Sequence, residues 1–144
     1  MWDNQVTIDI AAPIDQIYSY LADLRRHSEW SMSVAKIEQM TPGEIGVGTV
    51  FKASEELPQR LESFARVTAL DAPTRIAWES TDYQVFRTNW EIVLSAQNGG
   101  THLVQQVTFH TLGDLGEKIL EMRKLQVPSE NMQSLNRMKE ILER

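Results

Sequence analysis

The C-terminal part of the chain carries a helical pattern, and this pattern places the strongest constraint on the fold. Apolar residues recur at helical spacing on both sides of Pro128, namely Leu115, Ile119, Met122 and Leu125 or Gln126 before it, and Met132, Leu135, Met138 and Leu142 after it. Asp114 and Glu117 have the spacing of a capping box. Because proline lacks an amide donor, we expect a kink or a short interruption at Pro128. A helix with one apolar face must bury it on another element, so the rest of the chain has to supply that surface.

The preceding residues have the alternation and turns of a sheet. Val6, Ile8 and Ile10 share one face of a first strand over residues 2–10. Pro13 then begins a short helix, and a second helical turn with Trp30 follows it. Further strands are predicted at 34–40, 49–54, 61–70, 75–80, 85–94 and 101–110. Tight connections are predicted at 81–82 and at 98–100, the latter a hairpin with positive φ angles. We therefore expect an α+β domain in which a curved antiparallel sheet of about six or seven strands wraps around the long helix.

Length, charge and composition exclude several classes of protein. The 144 residues suit a single domain over 1–144, and the absence of cysteine excludes disulfides and thiolate chemistry and favours a cytoplasmic location. No apolar run reaches the roughly 20 residues of a membrane span. The net charge of −6, with scattered basic residues, disfavours nucleic acid. We expect a monomer or homodimer that is not an integral membrane protein.

Residues suited to catalysis are sparse. The three histidines are His27, His102 and His110, and the last two would lie about 26 Å apart along one straight strand. Glu29 and the pair at 55–56 are candidate acids, but acidic loop residues are usually only exposed. The glycines at 43, 46 and 48 precede a strand rather than a helix, unlike a dinucleotide fingerprint. We therefore expect no metal, no cofactor and no catalytic residue set.

Aromatic residues and methionines are more informative. They fall on the predicted inner strand faces and on the helices: Tyr18, Trp30, Phe51, Trp78, Phe86, Trp90, Phe109, Met122, Met132 and Met138. Each one alone more often fills a core. Together, broad aromatic walls and adaptable methionines predict a pocket for a small apolar molecule.

Three polar residues share those predicted inner faces. Ser80 follows Trp78 by two residues, Thr88 lies between Phe86 and Trp90, and Gln105 lies between Leu103 and Val107. A buried polar group without a partner costs about 1–3 kcal/mol, so each should bond to a ligand, a buried water or nearby backbone. The predicted ligand-binding set is Trp30, Phe51, Trp78, Ser80, Phe86, Thr88, Trp90, Gln105, Phe109, Met122 and Met132.

Four short motifs add a family resemblance. They are Ile-Ala-Ala-Pro-Ile-Asp-Gln-Ile-Tyr at 10–18, His-Ser-Glu-Trp at 27–30, Gly-Val-Gly-Thr at 46–49 and Gly-Gly-Thr at 99–101, with Val67, Pro73, Ile76 and Trp78 between them. In this order they resemble the superfamily of START lipid-transfer domains, the birch-pollen allergen family and bacterial polyketide cyclases and dehydrases. The resemblance implies a helix-grip fold, in which the C-terminal helix closes a cavity over the concave sheet.

The resemblance leaves three functions open. The first is non-catalytic binding or transport of a small hydrophobic molecule, such as a lipid, polyketide or isoprenoid. The second is a polyketide cyclase, aromatase or dehydratase, which would need a titratable residue with a shifted pKa in the cavity. The third is a protein-interaction module like the co-chaperone and ribosome-associated members, which would show an apolar patch outside the pocket. The aromatic and methionine lining favours the first.

Overall fold

The computed structural model describes residues 1–55, 61–82 and 85–144, without the side chains of Leu61 and Asp82. Within these ranges the strands are β1 (Trp2–Ile10), β2 (Lys36–Gln39), β3 (Val50–Glu55), β4 (Leu61–Asp71), β5 (Arg75–Asp82), β6 (Phe86–Gln97) and β7 (Gly100–Thr111). The helices are α1 (Ile14–Ala22), a 3₁₀ turn (Leu24–Arg26), α2 (His27–Trp30) and α3 (Gly113–Leu142). Glu56, one of the candidate acids, and Pro58, in the loop expected between the strands at 49–54 and 61–70, lie outside the described residues.

The strands form one antiparallel sheet in the order β1-β7-β6-β5-β4-β3-β2. All strands from β2 to β7 pair with their neighbours in sequence, whereas β1 pairs with the last strand, from Trp2 opposite Phe109 to Ile10 opposite Thr101. The order of elements and the curved antiparallel sheet confirm the predicted α+β helix-grip fold.

Two predicted turns have different outcomes. Asn98 (φ 46°) and Gly99 (φ 82°) form a two-residue turn between the paired residues Gln97 and Gly100, which confirms the predicted hairpin. The predicted tight connection at 81–82 is wrong, because Thr81 and Asp82 pair with residues 87 and 86 and extend β5.

Helix α3 runs without interruption from Gly113 to Leu142 and contains Pro128. The predicted interruption is therefore wrong. Proline removes one backbone hydrogen bond, and the buried residues on either side of it, Val127 and Asn131, keep the helix packed on the sheet. The predicted capping box is also wrong, because no side chain caps the helix, which begins at Gly113 with a positive φ of 81°. Among the described residues, no helix is long and apolar enough to span a membrane.

The buried face of α3 agrees with the prediction only in the second half of the helix. Leu135, Met138 and Leu142 are buried there. In the first half Leu115, Met122 and Leu125 are 62%, 65% and 86% exposed, and the helix instead buries Gly116, Leu120 and Val127. The predicted apolar face of this half is thus wrong for these three residues, whereas Ile119 is partly buried against the smaller cluster. Gly116 lets the start of α3 approach the backbone of Val85, just before β6, where a Cβ would lie 2.5 Å from the Val85 oxygen.

The buried apolar residues form two clusters. The larger cluster joins α1, α2 and the second half of α3 to the sheet, and the smaller one contains Phe86, Val107, Phe109, Leu120 and Val127. Trp90 packs against both clusters while itself being only partly buried. The two clusters therefore leave the Trp90 ring on the concave face partly uncovered.

Candidate functional site

The inner side chains of neighbouring strands form two adjacent rows across the sheet. The strand register places Asn4, Val107, Trp90, Trp78 and Val67 in one row, and Trp2, Phe109, Thr88, Ser80, Ala65 and Phe51 in the next. Neighbouring strands lie about 4.8 Å apart, so each row is a continuous surface. Helix α3 packs on β1 and β7 at one side of these rows.

Three of the predicted aromatic residues form a connected wall. The rings of Trp78 and Trp90 stack with centroids 6.0 Å apart and an interplanar angle of 6°. Trp78 also contacts the ring of His27 at 4.9 Å, and His27 contacts Trp30 at the same distance. A second aromatic group stands at the other end, where Phe109 contacts Phe86 and Trp2, both at 5.6 Å.

The floor between these two aromatic groups consists of small side chains. Ala65 lies opposite Ser80, and Ser80 lies opposite Thr88, on three neighbouring strands. Small residues leave space above a sheet. Ser80 and Trp90 are partly buried here, whereas Ala65, Trp78 and Thr88 are buried. We call this region, formed by Ala65, Ser80, Thr88, Trp78 and Trp90, the concave recess.

Hydrogen bonds fix part of this region and leave other polar atoms unpaired. Trp90 Nε1 donates to Thr88 Oγ1 at 3.1 Å, which satisfies both groups within the sheet. Gln105 Oε1 and Trp30 Nε1 are buried and have no hydrogen-bond partner among the described residues. Since nearly all buried polar atoms in proteins have a partner, these two atoms are the exceptions to be explained.

Asn131 and Asn4 were not predicted from the sequence. Asn131 Nδ2 on α3 donates to Asn4 Oδ1 on β1 at 2.9 Å and so ties the helix to the row that contains Trp90. A signal was present: Asn131 lies four residues after Val127 and four before Leu135, both of which are buried. A polar residue at that spacing on an apolar helix face indicates a buried hydrogen bond.

His27 is the buried ionisable group nearest to the aromatic wall. Burial lowers the pKa of His27 to about 4, although the Leu21 carbonyl and the charge of Asp23 act in the opposite direction. Its Nε2 donates to the Leu21 carbonyl oxygen at 3.1 Å, because a carbonyl can only accept. The imidazole is therefore neutral at pH 7. No group of three or more histidine or acidic residues in the described ranges could hold a metal ion.

Most of the predicted ligand-binding residues lie on the inner side of the sheet or helices. Seven are buried (Trp30, Phe51, Trp78, Phe86, Thr88, Gln105 and Phe109) and three are partly buried (Ser80, Trp90 and Met132). Met122 is different, since it lies on the solvent side of α3, away from buried Leu120 and Val127. The prediction that it faces the sheet is wrong. The role of the others in ligand binding stays a prediction.

Two surface cavities lie apart from the concave recess. One of about 340 Å³ lies between the β6–β7 turn and Lys139, and one of about 600 Å³ is bordered by Asp23 and Glu44. In the first, Lys139 Nζ already donates to the Asp9 carbonyl and to Glu143. Neither cavity is lined by a predicted ligand-binding residue.

Solved structures with the same architecture cover nearly the whole chain. The protein TTHA0849 of Thermus thermophilus is 16% identical over 96% of this chain and 95% of its own, with a TM-score of 0.78. The Zhui aromatase/cyclase of Streptomyces sp. R1128 is 19% identical over 99% and 94%, with a TM-score of 0.78. Ara h 8.0201 is 18% identical over 98% and 97%, with a TM-score of 0.73. At these identities the likeness establishes the fold alone.

The sequence itself gives the family. It matches no curated protein. The family model described as polyketide cyclase / dehydrase and lipid transport matches residues 1–143. This match agrees with the motifs at 10–18 and 27–30 and with the helix-grip fold. The chain belongs to the polyketide cyclase / dehydrase and lipid transport family.

Proposed function

We propose that the protein binds a small, mainly apolar molecule in the concave recess without changing it chemically. The observation that carries the proposal is the position of Trp90. Its indole lies in the middle of the inner face, stacked on Trp78, yet it is only partly buried although both core clusters pack against it. A bound apolar molecule would cover this ring and gain about 25 cal/mol for each Å² of apolar surface removed from water.

The shape and polarity of the recess support the same proposal. Small residues (Ala65, Ser80 and Thr88) provide depth, and aromatic rings border them on two sides. Binding sites for small molecules typically combine apolar walls with a few polar groups that fix orientation. Gln105 and Trp30 supply such groups, since each has a buried polar atom without a described partner.

A cyclase-type enzyme is the second candidate. The burial of the titratable residue His27 beside the aromatic wall favours it. A buried titratable group with a pKa lowered to about 4 is what that alternative predicts. However, a general base must reach the proton that it removes. Nε2 of His27 carries the proton donated to the Leu21 carbonyl, so only Nδ1 could accept one, and the ring is buried in contact with Trp30 and Trp78. The geometry therefore favours binding over catalysis.

An interaction module is the third candidate. The exposed residues Leu115, Met122 and Leu125 on α3 form the kind of apolar patch that it predicts. This patch faces away from the buried side of α3, so a function there would not exclude ligand binding in the concave recess.

Native mass spectrometry of the purified protein tests the proposal. We expect a complex heavier than the chain, which loses the added mass after extraction with an organic solvent and regains it when the extract is returned. The Ser80→Leu variant should purify without the added mass, because a larger side chain fills the recess. A chain that has its bare mass before extraction, and that takes up nothing from the extract of its own host cells, would refute the proposal.

A further inference from the structure

Gln105 occupies an unusual position for an amide side chain. It lies on β7 between Leu103 and Val107, and its partners on the neighbouring strands are Val6 and Ile92. Gln105 is 2% exposed, and its Oε1 has no partner among the described residues. Burying an amide among apolar side chains without a hydrogen bond is unfavourable, so this residue destabilises the fold unless something else pairs with it.

Gln105 is close enough to the concave recess to contact a molecule bound there. Val107 lies directly opposite Trp90, and Gln105 lies opposite Ile92, two residues further along the same strand. Gln105 is therefore the diagonal neighbour of Trp90 on the same face, about 7–8 Å away between backbones and within reach of long side chains. Gln105 lies on the side of Trp90 away from Thr88, so a molecule bound in the concave recess reaches the amide by extending past the Trp90 ring.

The buried polar side chains of the protein carry no charge at neutral pH in the ranges that the structure describes. In the described part of the chain they are His27, Thr49, Ser54, Thr88, Thr101, Gln105, Asn131 and Ser134. An ionised ligand buried here would have no opposite charge to pair with, which is strongly unfavourable. The second unpaired atom, Trp30 Nε1, is a donor and calls for a neutral oxygen acceptor.

Building on the proposed function, we infer that the ligand is a neutral molecule with an alcoholic or phenolic hydroxyl group, and that Gln105 is the residue that selects this group. A hydroxyl donates to Gln105 Oε1 and can also accept a hydrogen bond. A hydrocarbon leaves the amide unpaired, and a carboxylate has no proton to donate and brings a charge that nothing balances. Gln105 thus gives specificity at the expense of stability.

Binding of three bicyclic probes tests this inference: naphthalene, 2-naphthol and 2-naphthoate, measured by titration calorimetry. In the natural protein, 2-naphthol should bind about five- to tenfold more tightly than naphthalene, the value of one hydrogen bond, and 2-naphthoate should bind most weakly. In Gln105→Met, which keeps the length but removes the acceptor, the preference for 2-naphthol should disappear while naphthalene binds at least as well as before. Gln105→Leu should behave in the same way.

Gln106→Met is the matched control, because Gln106 is the next residue of β7, points to the other face of the sheet and should leave the preference unchanged. Both Gln105 variants should melt at the same temperature as the natural protein or higher, since they remove an unpaired amide. An equal preference for 2-naphthol in the natural protein and in both Gln105 variants would overturn the inference and leave the proposed function intact. Tightest binding of 2-naphthoate would do the same. If none of the three probes binds, the inference fails, and the native mass spectrum decides whether the proposed function fails with it.

Discussion

With phenylalanine in place of His27, we expect the free energy of unfolding to decrease less than in the natural protein when the pH is lowered from 6.5 to 4. The pKa of His27 is about 4 in the folded protein, below its ordinary value of 6.5, because the ring is buried. Between these pH values the unfolded chain binds a proton that the folded chain does not, so stability falls as the pH falls. The stability that depends on neutral His27 is fully present above pH 6.5. By pH 4 the protein has lost about 3 kcal/mol of it. Urea unfolding at a series of pH values measures it.

His27→Gln is the companion variant. Phenylalanine keeps a ring against Trp30 and Trp78, whereas glutamine keeps a donor for the Leu21 carbonyl. Neither residue titrates, so both variants should show the flatter curve whatever their stability at neutral pH. Curves that run parallel to that of the natural protein would show that His27 binds its proton equally well in the folded and unfolded chains.

Gly116→Ala is expected to lower the free energy of unfolding by about 2 kcal/mol, although alanine is the better helix former by about 1 kcal/mol. A Cβ added to Gly116 would lie 2.5 Å from the backbone oxygen of Val85. That oxygen already accepts a hydrogen bond from the Leu112 amide at 2.8 Å, so it has little freedom to move. The start of α3 would have to shift away from the sheet. Chemical denaturation followed by circular dichroism measures the change.

Gly46→Ala is the matched control for this variant. Gly46 has open space around its Cβ position and no positive φ, so its replacement should change stability by less than about 0.5 kcal/mol. Equal stability of Gly116→Ala and the natural protein would mean that α3 does not rely on this close contact.

The fold follows from local sequence signals because each one acts over a short range. Alternating residues in β1 and the Asn98-Gly99 turn need no knowledge of distant residues, and the long helical pattern at the C-terminus needs a sheet to cover it. The pairing of β1 with β7 joins strands about 100 residues apart in the sequence, and no local pattern in either strand predicts it.

The orientation of α3 could not be predicted because its first half has two apolar faces. One face carries Leu115, Met122 and Leu125 and is exposed, while the other carries Gly116, Leu120 and Val127 and is buried. Packing decides this, since the close contact of α3 with the Val85 backbone leaves no room for a side chain at position 116. Hydrophobic periodicity depends on apolar side chains. It therefore gives no weight to a glycine, although here the glycine lies on the buried face.

The residue types of the candidate site could be predicted from the sequence. Their exposure and their hydrogen bonds could not. The inner faces of β5, β6 and β7 follow from alternation, which placed Trp78, Thr88 and Gln105 together. The partial exposure of Trp90 and the unpaired oxygen of Gln105 depend on how α3 and the short helices cover the sheet. These features are set by three-dimensional packing, and they are the ones that carry the functional proposal.

The most direct test of ligand binding in the concave recess is the affinity of two matched serine variants for 2-naphthol. Ser80→Leu fills the recess, whereas Ser95→Leu adds the same side chain to an exposed position of β6. We predict that Ser80→Leu weakens binding by about tenfold or more, equivalent to about 1.4 kcal/mol, and that Ser95→Leu leaves it unchanged. Equal affinities of the two variants and the natural protein would contradict the account, because the molecule would then bind outside the recess.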